Sequence, residues 1–470
     1  MRQIKDRPAR DWHYCNMSDK LAPYGTRNVP RYTSYPTAPH FHEGVDGELY
    51  ATWLRDLPEA TALSLYLHVP FCRDICHYCG CHTKASRKDA PLDAYAATLA
   101  NEIELVTQHL GSSRPVTHIH WGGGTPSLLP ARRLIELAGL MRVAFNLRPG
   151  LEHAMELDPR YVTRDLAITL AAIGITRTSL GVQDLDADVQ KAIGRVQPLS
   201  VVRAATEHLR DAGITSINFD LMYGLPNQSQ HTILDTVAHT LELRPSRIAL
   251  FGYAHVPWMK KHQRLINESA LPDPEQRREL ARVAREALVA GGYVAIGLDH
   301  FALPDDSMAV AHKSGALKRN FQGYTTDTGE TLIGLGVSSI GRLPQGYVQN
   351  ASDTGAWARS LASGRLPVAR GFAMSSEDRA RADIIEALMT DHRVDLGQVR
   401  AQHGLPASCF QDSLGKLAPL AGDGLAMLDG DIIVIPEDAQ PYVRVVAAAF
   451  DAYLGQPAAA IVAPRHSMAI

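Results

Sequence analysis

Four cysteines lie within ten residues in HVPFCRDICHYCGCH: Cys72, Cys76, Cys79 and Cys81. Thiolates are soft ligands that select iron–sulfur clusters, zinc or copper(I). A structural zinc site usually takes two separated ligand pairs, so that the ion staples distant segments together. One compact loop with three- and two-residue gaps suits three corners of a cubane cluster better. A fully ligated [4Fe–4S] cluster uses four cysteines. If only Cys72, Cys76 and Cys79 bind, one iron keeps an open position for chemistry. The competing reading is a zinc loop completed by Cys81 or His82. Cys15 and Cys409 stand apart, and six cysteines in 470 residues are too few for a disulfide scaffold.

Other residues carry chemistry in context. GGGTP, residues 122–126, follows the apolar run VTHIHW. Glycine lets the backbone approach a ligand closely, or simply makes a tight turn. Glu156 and Asp220 lie inside apolar runs, where an unpartnered carboxylate is costly, so they read as functional or ion-paired. Tyr66 sits in an alternating run as lining or core, and His68 and His300 read equally well as satisfied core histidines.

The elements that must hold these residues follow from hydrophobic period. ALSLYLHV, VTHIHWG, EHAMELD, RTSLGVQ, SINFDLMYG and RIALFGYA read as strands, with YVAIGLD a weaker seventh. Amphipathic stretches such as LDAYAATLANEIELVTQHL separate them. Strand and helix in alternation require parallel strands with right-handed crossovers. The cysteines, GGGTP, Glu156, Gln183, Asp220 and Ala254 all fall at C-terminal strand ends. A barrel gathers such ends on one rim, whereas an open sheet gathers only those near its switch point. The expectation is an α/β fold with a partial (β/α)6 barrel. An N-terminal arm is expected over residues 1–46, the barrel and its extension over 47–365, and a mostly helical, winged-helix-like domain over 366–470. There SSEDRARADIIEALMTD begins a helix, and Asp-Gly within LAMLDGDIIVI signals a hairpin. The candidate recognition helix, SCFQDSLGKLAPLAGDG, has one Lys and two Asp and argues against nucleic acid.

Cys-x3-Cys-x2-Cys after a first strand, with GGGTP after the second, resembles the radical S-adenosylmethionine (SAM) superfamily. The resemblance narrows with RYTSYPTA, YLHVPFC, CGC, HWGGGTPS, MELDPR, LGVQD, FDLMYGLP, FGYAHVPW, GLDHFALPDD, NFQGYTT and GLGVSSIG. Together they are similar to the oxygen-independent coproporphyrinogen III oxidases (dehydrogenases) of haem biosynthesis. This resemblance implies oxidative decarboxylation of two propionates of coproporphyrinogen III to vinyls, giving protoporphyrinogen IX. It implies a [4Fe–4S] cluster on Cys72, Cys76 and Cys79, and two SAM molecules. Tyr66, Gly123, Glu156 and Ile340 fall at contacts to the cluster-bound SAM. Tyr78, Gly124, Thr125, Gln183, Arg195, Asp220 and Ala254 fall at contacts to the second, with Arg195 suited to a bidentate carboxylate. Tyr66, Cys81, Phe321 and Gln322 fall at the reaction centre. Gly194 departs from the family, which usually has Asn before the Arg. The resemblance also implies an outside electron donor of flavodoxin or ferredoxin type and an acceptor for the final electron.

Related haem-binding chaperones carry an aromatic residue in place of Cys81 and lack the RYTSYP arm; this chain has both features of the enzyme. Forty-seven basic against fifty acidic residues give a net charge of −3, so nothing steers the whole molecule toward nucleic acid or an anionic membrane. No run is long enough to span a bilayer, and the polar start MRQIKDRPARDWHYC does not read as a signal peptide. A cytoplasmic monomer is expected. Arg31, among the tyrosines of the arm, is expected to face substrate carboxylates as the arm closes over the rim, or else to pin the arm by a salt bridge.

Overall fold

The computed structural model describes residues 21–455, so Cys15 and the start of the arm lie outside the described residues. Six parallel strands form the catalytic core in sequence order: β1 (Leu63–Val69), β2 (Pro115–Gly123), β3 (Asn146–Leu157), β4 (Arg177–Gln183), β5 (Ser216–Tyr223) and β6 (Arg247–Gly252). Helices α1 (Gly47–Arg55), α2 (Ala90–Leu110), α3 (Ala131–Ala144), α4 (Arg164–Ala172), α5 (Leu199–Asp211), α6 (Gln230–Leu243) and α7 (Pro274–Ala290) pack on the outside.

Strand alternation divides the residues between two faces. Leu65, Leu67, Trp121, Met155, Leu180, Phe219 and Ile248 point outward into the core beneath the helices. The opposite parity is polar: Tyr66, His68, His118, His120, Glu152, Glu156, Ser179, Asn218, Asp220 and Arg247 face the lumen. Its lower layer is an ion-pair floor, with Arg177–Glu152 at 2.9 Å, Arg247–Asp306 at 2.7 Å and His118–Asp327 at 3.2 Å.

The sheet grows beyond the six expected strands. The weak seventh run becomes β7 (Val294–Ile296), paired antiparallel with β8 (His300–Ala302), which itself pairs with β6. A small hairpin, β9 (Lys318–Asn320) and β10 (Gly323–Thr325), follows. On the other edge, β11 (Thr331–Leu335) lies parallel to β1. Then β12 (Ile340–Leu343), β13 (Gly346–Asn350) and β14 (Val368–Ala373) continue antiparallel. The parallel β11 is reached through a short helix, Ser307–Ser314, and then the β9–β10 hairpin rather than directly from a crossover helix, so βα alternation does not reveal it. The sheet therefore runs past residue 365 to Ala373.

The C-terminal region comprises α8 (Ser376–Asp391), β15 (Arg393–Asp395), α9 (Leu396–His403), α10 (Gln411–Gly422), β16 (Met427–Asp429) and β17 (Ile432–Val434), with β17 central in a three-stranded sheet. This is the winged-helix order. The arm departs from expectation: Leu21, Tyr24, Val29, Tyr32 and Tyr35 are buried in the same core as Ile384, Leu388, Leu417 and Phe450. It is part of the C-terminal domain's core rather than a free flap.

Candidate functional site

The loop after β1 places the cysteines above the C-terminal rim. A two-residue parallel pairing of Phe71–Cys72 with Lys84–Ala85 closes its base. Each cysteine of the triad has a donor nearby. Thr125 Oγ1 donates to Cys72 Sγ at 3.6 Å, and Arg195 Nη1 to Cys76 Sγ at 3.5 Å. Thr83 Oγ1 is 4.0 Å from Cys79 Sγ. A hydrogen bond from Cys81 lowers the Cys79 thiol to about 6, while burial raises Cys72 to about 11. The loop backbone is pinned from outside: His262 Nε2 lies 2.7 Å from the Cys79 carbonyl, Lys260 Nζ donates to that of Cys81 at 2.9 Å, and Gln263 Nε2 to that of Tyr78 at 2.9 Å. Among the described residues, no three His, Cys, Asp or Glu side chains converge as for a single ion. Three thiols with N–H and O–H donors toward sulfur match the requirements of an iron–sulfur cluster, whose potential such hydrogen bonds tune.

The glycine loop lies directly beneath. The Gly124 N–H bonds the Val69 carbonyl at 2.8 Å, and Thr125 N–H that of Phe71 at 2.7 Å. A Cβ on Gly124 would lie 2.5 Å from the Phe71 carbonyl oxygen, and one on Gly123 2.5 Å from the His68 ring. These are close approaches between backbone and neighbour, beyond what a turn requires.

Below the loop runs a buried polar chain. The Gly123 N–H donates to Glu156 at 3.0 Å, and His120 Nε2 lies 3.2 Å from its other oxygen. Burial pushes this carboxyl up, but His120 and the Gly123 N–H more than offset it, leaving Glu156 below its ordinary value. Tyr66 stacks on His120 with centroids 6.0 Å apart, and its hydroxyl lies 3.1 Å from His68 Nδ1. Gly334 is the register partner of Tyr66, and a Cβ there would lie 2.7 Å from the Ile340 backbone, which brings Ile340 to the same edge. Across the lumen, Ser179 donates to Asp220 at 2.8 Å, and Asn218 reaches its second oxygen at 2.8 Å. Burial raises Asp220 to about 6, against the pull of the Ser179 bond.

Arg195 has intrachain partners that the motifs do not reveal. The resemblance implies a cofactor carboxylate for its fork, and the guanidinium is also engaged within the chain. Nη1 pairs with Asp158 at 3.1 Å, Nη2 donates to the Gly181 carbonyl at 2.8 Å and Nε to Gln197 at 3.0 Å. Gly194 before it has a φ of 64°, and a Cβ there would lie 2.7 Å from the His77 ring, so this departure from the family leaves room for His77. Gln183 ends β4 at a φ of 66°, and the Ala254 carbonyl accepts from Gln263 at 3.2 Å.

Phe321 and Gln322 approach from the hairpin side, Gln322 reaching the same small cavity as His120 and Phe321 lying against the sheet extension. Phe321 packs edge-on against Tyr347 at 5.9 Å. Gln322 lines a cavity of about 20 Å³ over the barrel floor with Ser64, His120 and Glu152. Ser179 and Asn218 escape motif reading, although strand period puts each on the lumen face; His120 and Asp158 lie within the HWGGGTPS and MELDPR runs, where nothing marks them out from their neighbours.

Comparison with known proteins gives concordant results. The radical SAM superfamily model matches residues 66–239. An oxygen-independent coproporphyrinogen III oxidase from Bradyrhizobium diazoefficiens is 51% identical over 437 residues, covering 93% of this chain and 97% of its own. One from Paracoccus denitrificans is 45% identical, covering 90% and 94%. The solved structure of coproporphyrinogen III oxidase (HemN) from Escherichia coli, a radical SAM enzyme, superposes with a TM-score of 0.86 at 37% identity, over 90% of this chain and 97% of that one.

Proposed function

The chain belongs to the oxygen-independent coproporphyrinogen III oxidases of the radical SAM superfamily, and from that premise we propose how its residues divide the work. The enzyme decarboxylates two propionates of coproporphyrinogen III oxidatively to vinyls, giving protoporphyrinogen IX. It uses a [4Fe–4S] cluster and SAM. Each propionate gives up carbon dioxide, one hydrogen atom and one electron.

The observation that carries the assignment of residues is the thiol triad on the loop above a polar lumen. Cys72, Cys76 and Cys79 hold the cluster. Held by these three thiolates, a cluster with SAM would supply the radical chemistry needed to remove a hydrogen atom from an unactivated carbon that no side-chain base can deprotonate. The chain's own residues bind, orient and exclude water. Gly123 and Glu156 offer a backbone edge and a charged carboxylate for the amino group of the first SAM, with Tyr66 and Ile340 as the wall. Gly124, Thr125, Gln183, Asp220 and Ala254 line the place of a second SAM, with the Tyr78 backbone at its edge. Arg195 acts from behind, as a donor to Cys76 and a buried partner of Asp158. Cys81 stands at the reaction centre without ligating iron, and Phe321 and Gln322 support it from the hairpin side.

The electron enters from a separate donor of flavodoxin or ferredoxin type, and another acceptor takes the last one. No helix among the described residues is long and apolar enough to cross a membrane. We place the enzyme in the reducing cytoplasm, where its thiols stay available to iron.

The test is anaerobic cluster reconstitution followed by reaction with SAM, reductant and coproporphyrinogen III. Protoporphyrinogen IX should appear together with methionine and 5′-deoxyadenosine. Cleavage of SAM with an untouched macrocycle would overturn the substrate assignment.

A further inference from the structure

Outside the lumen, a cavity of about 1450 Å³ opens between the ends of β5 and β6, helix α7, the arm and the C-terminal domain. It exceeds the usual range for a single small-ligand pocket, roughly 300–1,000 Å³, and has room for a tetrapyrrole. Arg31, Arg277, Arg319 and Arg444 line it, together with Tyr223 and Phe251. These four come from the arm, α7, the β9–β10 hairpin and the C-terminal domain, so the assembled fold alone brings them together.

Guanidinium groups of like charge converge here from four separate parts of the chain. The Nε of Arg277 and the Nε and Nη1 of Arg319 are buried without a hydrogen-bond partner. Burial lowers Arg277, and Arg31 lowers it further; burial also lowers Arg444, to about 10, with Arg31 and Arg319 adding to the effect. Arg31 makes one long bond, at 3.4 Å, to the Gly252 carbonyl. Asp299 offsets part of the charge, held below its ordinary value by His300, Arg319 and Arg31 against its own burial. Glu275, Glu279, Glu437 and Asp438 stand on other walls, with Glu279 committed to Arg282 at 2.6 Å. Arg277 lies over the Tyr223 ring at 5.2 Å and Arg319 over Tyr324 at 4.4 Å, with Arg319 Nη2 donating to the Arg31 carbonyl at 3.3 Å; a buried N–H left unbonded is costly, and the planar fork fits carboxylate in two parallel bonds.

The cavity also meets the reaction site. Tyr223 lies three residues past Asp220, and Gly252 two before Ala254. Strand alternation turns Phe251 toward the lumen, where it packs edge-on against His300 at 5.8 Å, and the same ring lines the cavity.

We propose that this cavity binds propionate carboxylates of the tetrapyrrole substrate, with Arg31, Arg277 and Arg319 as the recognising groups. The proposal rests on the substrate assigned above and adds the residues that hold it. Arg444 is set apart because it also carries the arm, donating to the Val29 and Pro30 carbonyls.

The test titrates coproporphyrin III, the oxidised fluorescent macrocycle, and its tetramethyl ester into cluster-loaded protein. Arg31→Gln and Arg277→Gln should each weaken binding of the free acid about tenfold, and the double variant about a hundredfold. Binding of the ester should not change. The Michaelis constant for coproporphyrinogen III should rise in step, with kcat moving far less. Arg277→Lys should restore part of the loss. Arg282→Gln, whose native side chain is already paired with Glu279 and Glu286, should bind as wild type does. Unchanged affinity in the double variant would overturn the proposal. Equal losses for acid and ester would also overturn it, because the arginines would then only shape a wall. Loss of SAM affinity with porphyrin affinity retained would give the cavity to the cofactor's carboxylate instead. Wild-type protein that binds porphyrin through these arginines yet decarboxylates nothing would support the site and sink the reaction, so the two failures are separable.

Discussion

Replacing Cys72, Cys76 or Cys79 with serine exchanges a soft thiolate for a hard oxygen. Each variant should lose iron and SAM cleavage together, as read by iron content and 5′-deoxyadenosine yield. Cys81→Ser should keep its iron, because the fourth corner is left for SAM; a cluster-free C81S protein would show four-cysteine ligation instead. Arg195 joins the cluster loop to the barrel through Cys76, Asp158 and Gly181. Arg195→Met would leave Asp158 buried with only Arg160 as an ionic partner. Because Arg160 still compensates Asp158, the loss should fall below the about 3–5 kcal/mol of a buried charge left without any partner, and denaturant melts of the cluster-free chain should register it. Asp220 is charged above about 6 and neutral below. A carboxylate that meets cationic SAM loses that attraction as pH falls through this value, so SAM affinity should drop there. Asp220→Asn should bind weakly at every pH and show no such step.

Strands made most of the site legible before any coordinates. Period-two alternation in β1–β6 fixes which side chains enter the lumen, so Tyr66, Glu156 and Asp220 could be singled out and do line it. The same alternation would have yielded His120 and Ser179, but no spacing marks them as Cys-x3-Cys-x2-Cys marks the cysteines. The sequence does not reveal that Arg195 is also held by Asp158, because that contact joins segments 37 residues apart. The strand β11 and the arginine cavity were not legible, since both depend on contacts between segments far apart in the chain. Two predictions belong to this scale. Gly124 abuts the Phe71 backbone, so Gly124→Ala must push β1 and the glycine loop apart; overpacking of this kind costs about 1–3 kcal/mol and should appear as a lower Tm with poorer cluster loading. On the outer face of β3, His153 accepts from the Trp121 indole at 2.8 Å, and burial lowers it to about 4. Between pH 4 and an unfolded value near 6.5, the unfolded chain takes a proton that the native one refuses. Stability therefore rises with pH across that window, by up to about 3 kcal/mol, and is fully present above it. His153→Gln keeps an acceptor for Trp121 and should remove this part of the acid sensitivity in urea melts.

At the scale of the whole molecule, the arm is a rivet. Tyr32 and Tyr35 are buried among residues of the C-terminal domain, the Tyr32 hydroxyl donates to Asp451 at 3.1 Å, and the Tyr35 hydroxyl accepts from the Ala452 N–H at 3.1 Å. Tyr24 bonds Asp423 in the same domain. A few residues on, the chain crosses to the barrel's extension: His42 pairs with Gly371, and Phe41 stacks on Tyr347 with centroids 5.6 Å apart. The arm thus shares one core with the C-terminal domain while being stitched to the catalytic sheet, and it carries Arg31 to the cavity between them. A flap that merely closed over the rim would leave the fold intact when removed. A rivet would not, because the C-terminal domain loses five apolar side chains from its core: Leu21, Tyr24, Val29, Tyr32 and Tyr35. Deleting residues 1–38 should therefore give aggregated protein rather than a soluble enzyme with uncoupled SAM cleavage. Tyr32→Ala gives the same information without a truncation. Loss of a buried aromatic costs about 3–5 kcal/mol, all of it in the arm and C-terminal domain. Calorimetry should turn one melting transition into two, the lower belonging to the C-terminal domain, and the Michaelis constant for coproporphyrinogen should rise as Arg31 loses its support. A single unshifted transition in Y32A would mean that the arm carries none of the fold and acts at the rim alone.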